Sequence, residues 1–185
     1  REEFERRISD GSVAECFQRI VTKAADAMFL PSGRVHAIGA GNIIFEIQQN
    51  SDTTYRVFDW NRVGQDGKPR ELHVAESLES IDFEDFEPGL VDSPVQENGG
   101  VLIKSLVNDP LFTVDLVEAT DAAEQSFSIK APMVLAVAGG KLDVSAGGET
   151  EQLGAGDFCL VPAACGTVTL ASPAGTRFLK SSPGV

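Results

Sequence analysis

The chain contains two histidines, His36 and His73, and His36 follows the turn Pro31-Ser-Gly33 in the pattern P-x-G-x-x-H. Proline and glycine favour a tight turn, and a strand that follows such a turn can direct an imidazole toward a metal ion. A closed divalent-metal site needs about four ligands, so His36 alone predicts one ligand and not a whole site. The alternative is that His36, as a lone histidine, is a hydrogen-bonded core or surface residue and not a metal ligand. His73 lies in a segment that predicts a helix or a loop, and we expect it to be structural.

A basic stretch between positions 56 and 70 is the second candidate for chemistry, with four Lys or Arg against two acids. Its basic residues are Arg56, Arg62, Lys68 and Arg70. A local group of cations on an acidic protein suits a small anionic ligand better than a polymer. The alternative is a solvated turn of mixed charge, and the spacing by itself favours that alternative.

Glu46 is the only acid in the run NIIFEIQQ. If this run is a strand, Ile43, Phe45 and Ile47 share one face and Glu46 lies on the other. A carboxylate on the polar face of an otherwise apolar strand can exchange protons with a substrate or pair with Arg56. The alternative for Glu46 and Arg56 is a structural salt bridge that lines a barrel.

The net charge of the chain is −13, from 15 basic and 28 acidic residues. Such a charge argues against binding to nucleic acid or to an anionic membrane. No apolar run approaches the roughly 18 residues that cross a bilayer, so we expect no membrane partner and no nucleic-acid partner. The three cysteines, Cys16, Cys159 and Cys165, form no C-x-x-C pair. We therefore expect the cysteines to be small, buried hydrophobic residues. The same cysteine usage predicts a protein of a reducing compartment, the cytoplasm.

Eighteen glycines and nine prolines, which separate short apolar runs, predict an all-β sandwich or barrel. Residues 1–22 are the exception and predict a short helical segment. Within it, Ser12 and Glu15 match an S-x-x-E capping box, and Asp10-Gly11 breaks off a preceding short helix.

Four strands are predicted next, followed by a short helix. The strand sequences are AMFL, RVHAI, NIIFEIQQ and TTYRVFDW, and the helix lies within RELHVAESLESI. Residues 82–100, rich in acids, Pro and Gly, predict an exposed connection, and strands resume from Val101.

An internal repeat predicts two similar barrels. Asp26-Ala-Met-Phe-Leu-Pro31-Ser aligns without a gap with Asp157-Phe-Cys-Leu-Val-Pro162-Ala. Continued, the alignment places Thr167 opposite His36, so the second barrel lacks the histidine. We expect that second barrel to be structural or to form a lid.

Two resemblances agree with this organisation. The segment 25–40 reads A-x5-P-x-G-x-x-H-x3-A and resembles the second cupin motif, G-x5-P-x-G-x-x-H-x3-N, from which it departs at Ala25 and Ala40. The longer run PSGRVHAIGAGNIIFEIQQNSDTTYRVFDWNRVGQDGKPRELHV resembles the core signature of type I mannose-6-phosphate isomerases. That family has a catalytic cupin barrel whose zinc is held by a Gln, two His and a Glu.

The resemblance implies a role for four residues of this chain. His36 occupies the position of the last zinc ligand, and the other ligands would precede residue 1. Arg56 occupies the position of the catalytic arginine and Glu46 that of an active-site glutamate. Arg62 stands where the family tends to carry a basic residue near the substrate phosphate, to which a guanidinium is well matched. An exposed arginine without a role is the alternative for Arg62.

The fold expected from these observations is an all-β, cupin-type double-stranded β-helix, or jelly roll, in two units with a short N-terminal helical segment. Residues 1–100 would be the C-terminal part of the catalytic domain and residues 101–185 a second, metal-free cupin domain. The expected function is isomerisation of mannose 6-phosphate and fructose 6-phosphate through a cis-enediol. The alternatives are an inactive cupin remnant that binds a sugar phosphate or a protein partner, and a fragment with no function alone. Open barrel edges in such a chain would invite self-association.

Overall fold

The structure, a computed structural model, describes residues 1–51, 53–60 and 62–184. The chain divides into two compact units, residues 1–90 and the remainder from Val91 onward. The sequence predicts the domain boundary ten residues later, after position 100. No helix in the described residues is both long and apolar enough to cross a membrane.

The described residues contain two α-helices and ten β-strands. They are α1 (Glu2–Asp10), α2 (Val74–Ser80), β1 (Val95–Asn98), β2 (Val101–Asn108), β3 (Phe112–Ala119), β4 (Ala123–Ser128), β5 (Met133–Gly139), β6 (Lys141–Ala146), β7 (Glu149–Gly154), β8 (Phe158–Val161), β9 (Thr167–Ser172) and β10 (Arg177–Pro183). Short 3₁₀ turns cover Val13–Cys16 and Ala163–Cys165.

The second unit is a jelly roll of two antiparallel sheets. One sheet has the strand order β1-β2-β3-β10-β5-β8 and the other has the order β4-β9-β6-β7. Non-sequential neighbours such as β3 and β10 arise from Greek-key connections, which let two sheets face each other. The predicted fold class, an all-β cupin-type jelly roll with a short N-terminal helix, is confirmed.

The core of the second unit lies between its two sheets. In β6, Leu142 and Val144 are buried while Lys141 is exposed, because successive side chains of a strand point to opposite faces. The hairpin from β6 to β7 turns at Gly147 and Gly148, whose φ values of 60° and 88° suit glycine in a two-residue loop. The buried core residues are Val101, Val117, Ala119, Ile129, Met133, Leu135, Val137, Leu142, Val144, Leu153, Val161, Val168, Leu170 and Phe178.

The cysteines are all free thiols, and their burial differs. Cys159 and Cys165 are partly buried and pack against the core of the second unit, as expected for small hydrophobic residues. Cys16 is exposed, so the prediction of a buried residue is wrong at that position.

The first unit begins with α1, which ends at Gly11 in the left-handed conformation, with a φ of 82°. The predicted capping box at Ser12 is not formed, because the Ser12 hydroxyl donates to Asp10 Oδ1 at 2.5 Å instead of capping the turn. The backbone after Ser12 forms a 3₁₀ turn and then becomes extended at Phe17. The predicted short helix within RELHVAESLESI is present as α2.

The strands predicted between residues 26 and 60 are not formed in the described part of that range. In the first unit the only β-pairing among described residues is an isolated bridge between Val63 and Pro69. Extended backbone becomes a strand only where a neighbour supplies the hydrogen-bonded ladder. Ile43 of the alternating run NIIFEIQQ is accordingly 98% exposed.

Candidate functional site

Residues 56–73 form one loop, here called the basic loop, which contains the whole basic stretch. At its neck the His73 backbone N–H donates to the Arg56 carbonyl at 2.8 Å, and the Arg56 N–H donates to His73 Nδ1 at 3.2 Å. Near its tip the Gly64 N–H donates to the Lys68 carbonyl at 2.7 Å. Asn61, within the run DWNR, lies outside the described residues. Hydrogen bonds at both ends thus hold the loop in one conformation.

Asp59 is the centre of the basic loop and is only 5% exposed. Arg62 Nη2 donates to Asp59 Oδ1 at 2.7 Å, and Arg70 Nε donates to Oδ2 at 2.7 Å. A second contact joins Arg70 Nη2 to Asp59 Oδ1. The Arg70 hydrogen bonds, and then that of Arg62, lower the pKa of Asp59 from 3.8 to about 2. With two guanidinium groups on one carboxylate, the cluster keeps a net charge of +1.

The depressed pKa predicts how the stability of the first unit depends on pH. Asp59 is more acidic in the folded state, so its stabilising contribution is complete above pH 3.8 and is lost as pH falls toward 2. Trp60 is the only tryptophan, and its fluorescence in urea titrations between pH 5 and pH 2 would report unfolding of this unit. We expect Asp59→Asn to be less stable at pH 5 and to lose less stability on acidification. Parallel stability curves for the two proteins would contradict this assignment.

Trp60 turns the chain between Asp59 and Arg62. Its φ is 50°, in the left-handed region that bulky residues rarely adopt. The turn lets the Arg62 N–H donate to the Asp59 carbonyl at 2.9 Å, and it places the Arg62 guanidinium carbon 5.9 Å from the centroid of the Trp60 ring. Arg62 is 63% exposed at its side chain, and Nη1 takes no part in its hydrogen bonds to Asp59. Arg62 is therefore both oriented and open to a ligand.

Arg56 is half-buried at the neck of the basic loop, where its Nη1 donates to the Glu71 carbonyl at 3.3 Å. Glu46 is exposed, and no ion pair joins it to Arg56 within the described residues. The structural salt bridge considered for these two residues is therefore not formed. The structure places Arg56 and Arg62 on one loop, and among the described residues neither forms a hydrogen bond or an ion pair with Glu46.

His36 follows a turn that is fastened to the segment after α2. Asp82 N–H donates to the Gly33 carbonyl at 3.0 Å, and a Cβ on Gly33 would lie 2.9 Å from the Ser80 carbonyl oxygen. Only glycine permits this approach, and the φ of 91° at Gly33 favours it as well. Arg34 then forms a two-pronged ion pair with Asp85, at 2.6 and 2.8 Å. The position of the turn before His36 is set by these contacts.

Ala25 stands where the cupin motif has glycine, and the backbone conformation at this position explains why the motif prefers glycine. Ala25 has a φ of 72°, a conformation that costs a residue with a Cβ about 1–2 kcal/mol. We expect Ala25→Gly to leave stability unchanged or raise it by up to about 1 kcal/mol, measured by urea unfolding. Ala24→Gly is the matched control and should only destabilise, because Ala24 has no positive φ to relieve. A larger loss for Ala25→Gly than for Ala24→Gly would contradict this explanation.

The helix α2 connects the two halves of this arrangement. His73, which holds Arg56, directly precedes α2. Asp82, which donates to the Gly33 carbonyl, follows its C-terminal end. At 1.5 Å per residue the helix is roughly 10 Å long. This role of α2 is not predictable from the sequence, because the contacts near its two ends join residues 17 to 51 positions apart.

The described residues contain no group of three or more His, Cys, Asp or Glu side chains that could hold a metal ion. His36 itself fits a single-ligand role. It is exposed, and its Nδ1 lies 3.1 Å from the Arg34 carbonyl oxygen, which can only accept. The proton is then on Nδ1, and Nε2 keeps the lone pair that would bind a metal. The donor set of the described residues is thus one ligand and does not complete a zinc site.

A separate surface depression of about 470 Å³ lies in the second unit. It is lined by the β6–β7 turn, hydroxyl groups, Cys165 and one acid, Glu149. No Lys or Arg lines it, so it lacks the charge that a phosphate ester requires. The basic loop is therefore the better candidate for a site that binds a phosphate ester.

The sheet order of the second unit and the P-x-G-x-x-H turn of the first define a cupin-type protein. No family model matches the chain. A solved structure of mannose 6-phosphate isomerase from Bacillus subtilis matches it with a TM-score of 0.59 and 27% identity, over 72% of this chain and 41% of that one.

Sequence comparison points to the same enzymes. A mannose-6-phosphate isomerase of Streptococcus mutans is 32% identical over 163 residues, which cover 88% of this chain and 50% of that protein. Another, from B. subtilis, is 46% identical over 82 residues, covering 44% of this chain and 26% of that protein. The chain spans half or less of each of these relatives. It is a homologue of the mannose-6-phosphate isomerases and corresponds to a C-terminal-like portion of them, which confirms the resemblance.

Proposed function

We propose that this chain is the C-terminal part of a mannose-6-phosphate isomerase, which interconverts mannose 6-phosphate and fructose 6-phosphate. The observation that carries the proposal is the basic loop, in which Arg56 and Arg62 are held by hydrogen bonds on an otherwise acidic protein. An anionic sugar is a suitable ligand for two fixed guanidinium groups. The proposed reaction is that of the homologous mannose-6-phosphate isomerases.

The isomerisation moves a proton between two adjacent carbons of the open-chain sugar through a cis-enediol. Negative charge develops on the sugar oxygens, and the guanidinium of Arg56, which stays protonated, would stabilise it. Glu46 would exchange the proton, because a carboxylate can act as both base and acid. Arg62 would bind the substrate phosphate through the donors that Asp59 leaves unused.

His36 would supply one ligand to zinc, and a segment that precedes residue 1 would supply the Gln, the other His and the Glu that the resemblance implies. Bound zinc would orient the sugar oxygens and polarise the carbonyl. Residues 1–100 would then complete a catalytic barrel with that segment, while residues 101–185 form a metal-free cupin domain. No strand forms in the described part of residues 26–60, and Ile43 is exposed there, which supports this arrangement because added strands would supply a ladder and cover that side chain.

The test is to purify the protein from its native gene and to measure its mass, zinc content and isomerase activity. A mass well above 19.7 kDa, about one zinc per chain and conversion of mannose 6-phosphate would support the proposal. The 185-residue chain alone serves as the control and should turn over no substrate. A zinc-free, inactive native protein would overturn the proposal.

A metal-free sugar-phosphate binder is the second candidate, and the absence of a metal-ligating group among the described residues favours it. It predicts that the chain as given binds mannose 6-phosphate tightly without metal and without turnover. In either case we propose a cytoplasmic protein, and exposed apolar segments such as that at Ile43 would promote self-association when unpartnered.

A further inference from the structure

We propose that His73 is a positioning residue for Arg56, which it holds through a hydrogen bond from the Arg56 backbone N–H to Nδ1. This inference rests on the proposed function, in which Arg56 acts on the substrate. His73 itself contacts no reacting atom in this scheme. It acts by fixing the backbone from which the Arg56 side chain extends.

Both backbone groups of Arg56 are bonded to the same residue. Its carbonyl accepts from the His73 N–H at 2.8 Å, and its N–H donates to His73 Nδ1 at 3.2 Å. The Arg56 side chain donates to the carbonyl of Glu71, two residues before His73. Three hydrogen bonds therefore hold Arg56 to the short segment 71–73, which continues directly into α2.

The His73 ring is fixed from a second direction. Its centroid lies 6.0 Å from that of Tyr55, the residue before Arg56, with the two rings tilted by 53°. His73 also begins α2, because the Ser77 N–H donates to its carbonyl at 2.9 Å. The imidazole thus packs against the residue that precedes Arg56, while the His73 backbone is held by the first turn of the helix.

The geometry specifies which side chains can replace His73. Nδ1 must accept a hydrogen bond, so it carries no proton in this arrangement. In asparagine, Oδ1 is bonded to Cγ as Nδ1 is in histidine, and it can accept from the same N–H. Leucine places a methyl group there and leaves that N–H without its partner. The His73→Asn side chain can therefore accept the hydrogen bond from the Arg56 N–H, and the His73→Leu side chain cannot.

The experiment uses the protein expressed from its native gene, with kcat and KM measured for mannose 6-phosphate. We expect His73→Leu to lower kcat about 10- to 100-fold, because small displacements of a catalytic group are costly. KM should change less, since Arg62 lies elsewhere on the loop. His73→Asn should recover most of the loss. Equal kcat for wild type and His73→Leu, or no recovery in His73→Asn, would overturn the inference.

A measurement that does not depend on activity separates this inference from the proposed function. The wild-type protein should show a scalar coupling across the hydrogen bond between Arg56 N and His73 Nδ1 in ¹⁵N NMR spectra. The Arg56 Nε–Hε group should become more mobile in His73→Leu and return toward wild type in His73→Asn. An inactive wild type would refute the proposed function alone. Absence of the coupling, or unchanged Arg56 mobility in His73→Leu, would refute the positioning role whether or not the protein is active.

Discussion

Arg56→Ala, in the protein expressed from its native gene, is expected to lower kcat for mannose 6-phosphate by roughly 100- to 1000-fold, the usual effect of removing one preorganised charge stabiliser. The thermal midpoint should change little. The two hydrogen bonds to His73 use the Arg56 backbone and survive the substitution. Among the described residues, its side chain donates one hydrogen bond, of 3.3 Å to the Glu71 carbonyl, which is modest in strength.

Coupled assay of isomerisation and differential scanning calorimetry would check both parts of this expectation. Arg19→Ala is a suitable control, because Arg19 is an exposed arginine outside the basic loop and should keep wild-type kcat. Arg56→Lys retains the charge without the planar guanidinium, and its kcat should lie between those of Arg56→Ala and Arg19→Ala. Unchanged turnover in Arg56→Ala would remove Arg56 from the mechanism, and a large fall in thermal midpoint would instead show that its side chain supports the fold.

His36→Ala is expected to abolish both zinc binding and isomerase activity in the same full-length protein. If His36 is one of four zinc ligands, as proposed, its loss opens the site to solvent and weakens metal affinity severely. Because His36 is exposed and, within the part of the chain that the structure describes, its ring is bonded to the Arg34 carbonyl alone, folding should not depend on it. Zinc per chain, measured by elemental analysis, should fall from about one to near zero.

Ser32→Ala, in the turn before His36, is the matched control and should keep zinc and activity because Ser32 is exposed. The two substitutions can be compared in one preparation with the circular dichroism spectrum as a check on folding. Full zinc content in His36→Ala would exclude His36 as a ligand.

The second unit could be predicted from sequence because its signals are local. Alternation in β6 and the Gly147-Gly148 turn each act within a few residues, and every strand there finds a neighbour. The same alternation in NIIFEIQQ predicted a strand that is not formed. A pattern specifies which face a strand buries, whereas the strand itself requires a partner.

The candidate site was predictable in its residue types and not in its connections. Resemblance picks out Arg56 and His36, but the bonds that hold them join His73 to Arg56 and Arg34 to Asp85. Partners 17 and 51 residues apart leave no periodic trace in a single sequence. The buried Asp59 between two arginines was likewise visible only as one acid in a basic stretch.

The way α2 is fastened at both ends restricts where the chain length of this region can vary. One residue added to α2 would shift everything beyond it by about 1.5 Å and rotate it by about 100°, so Arg56 and the turn before His36 could not both keep their contacts. The tip of the basic loop is different, because Gly67 is exposed and a Cβ there would meet nothing within 4 Å. Insertions and deletions among homologues should therefore collect at that tip and be absent from the seven residues of the helix.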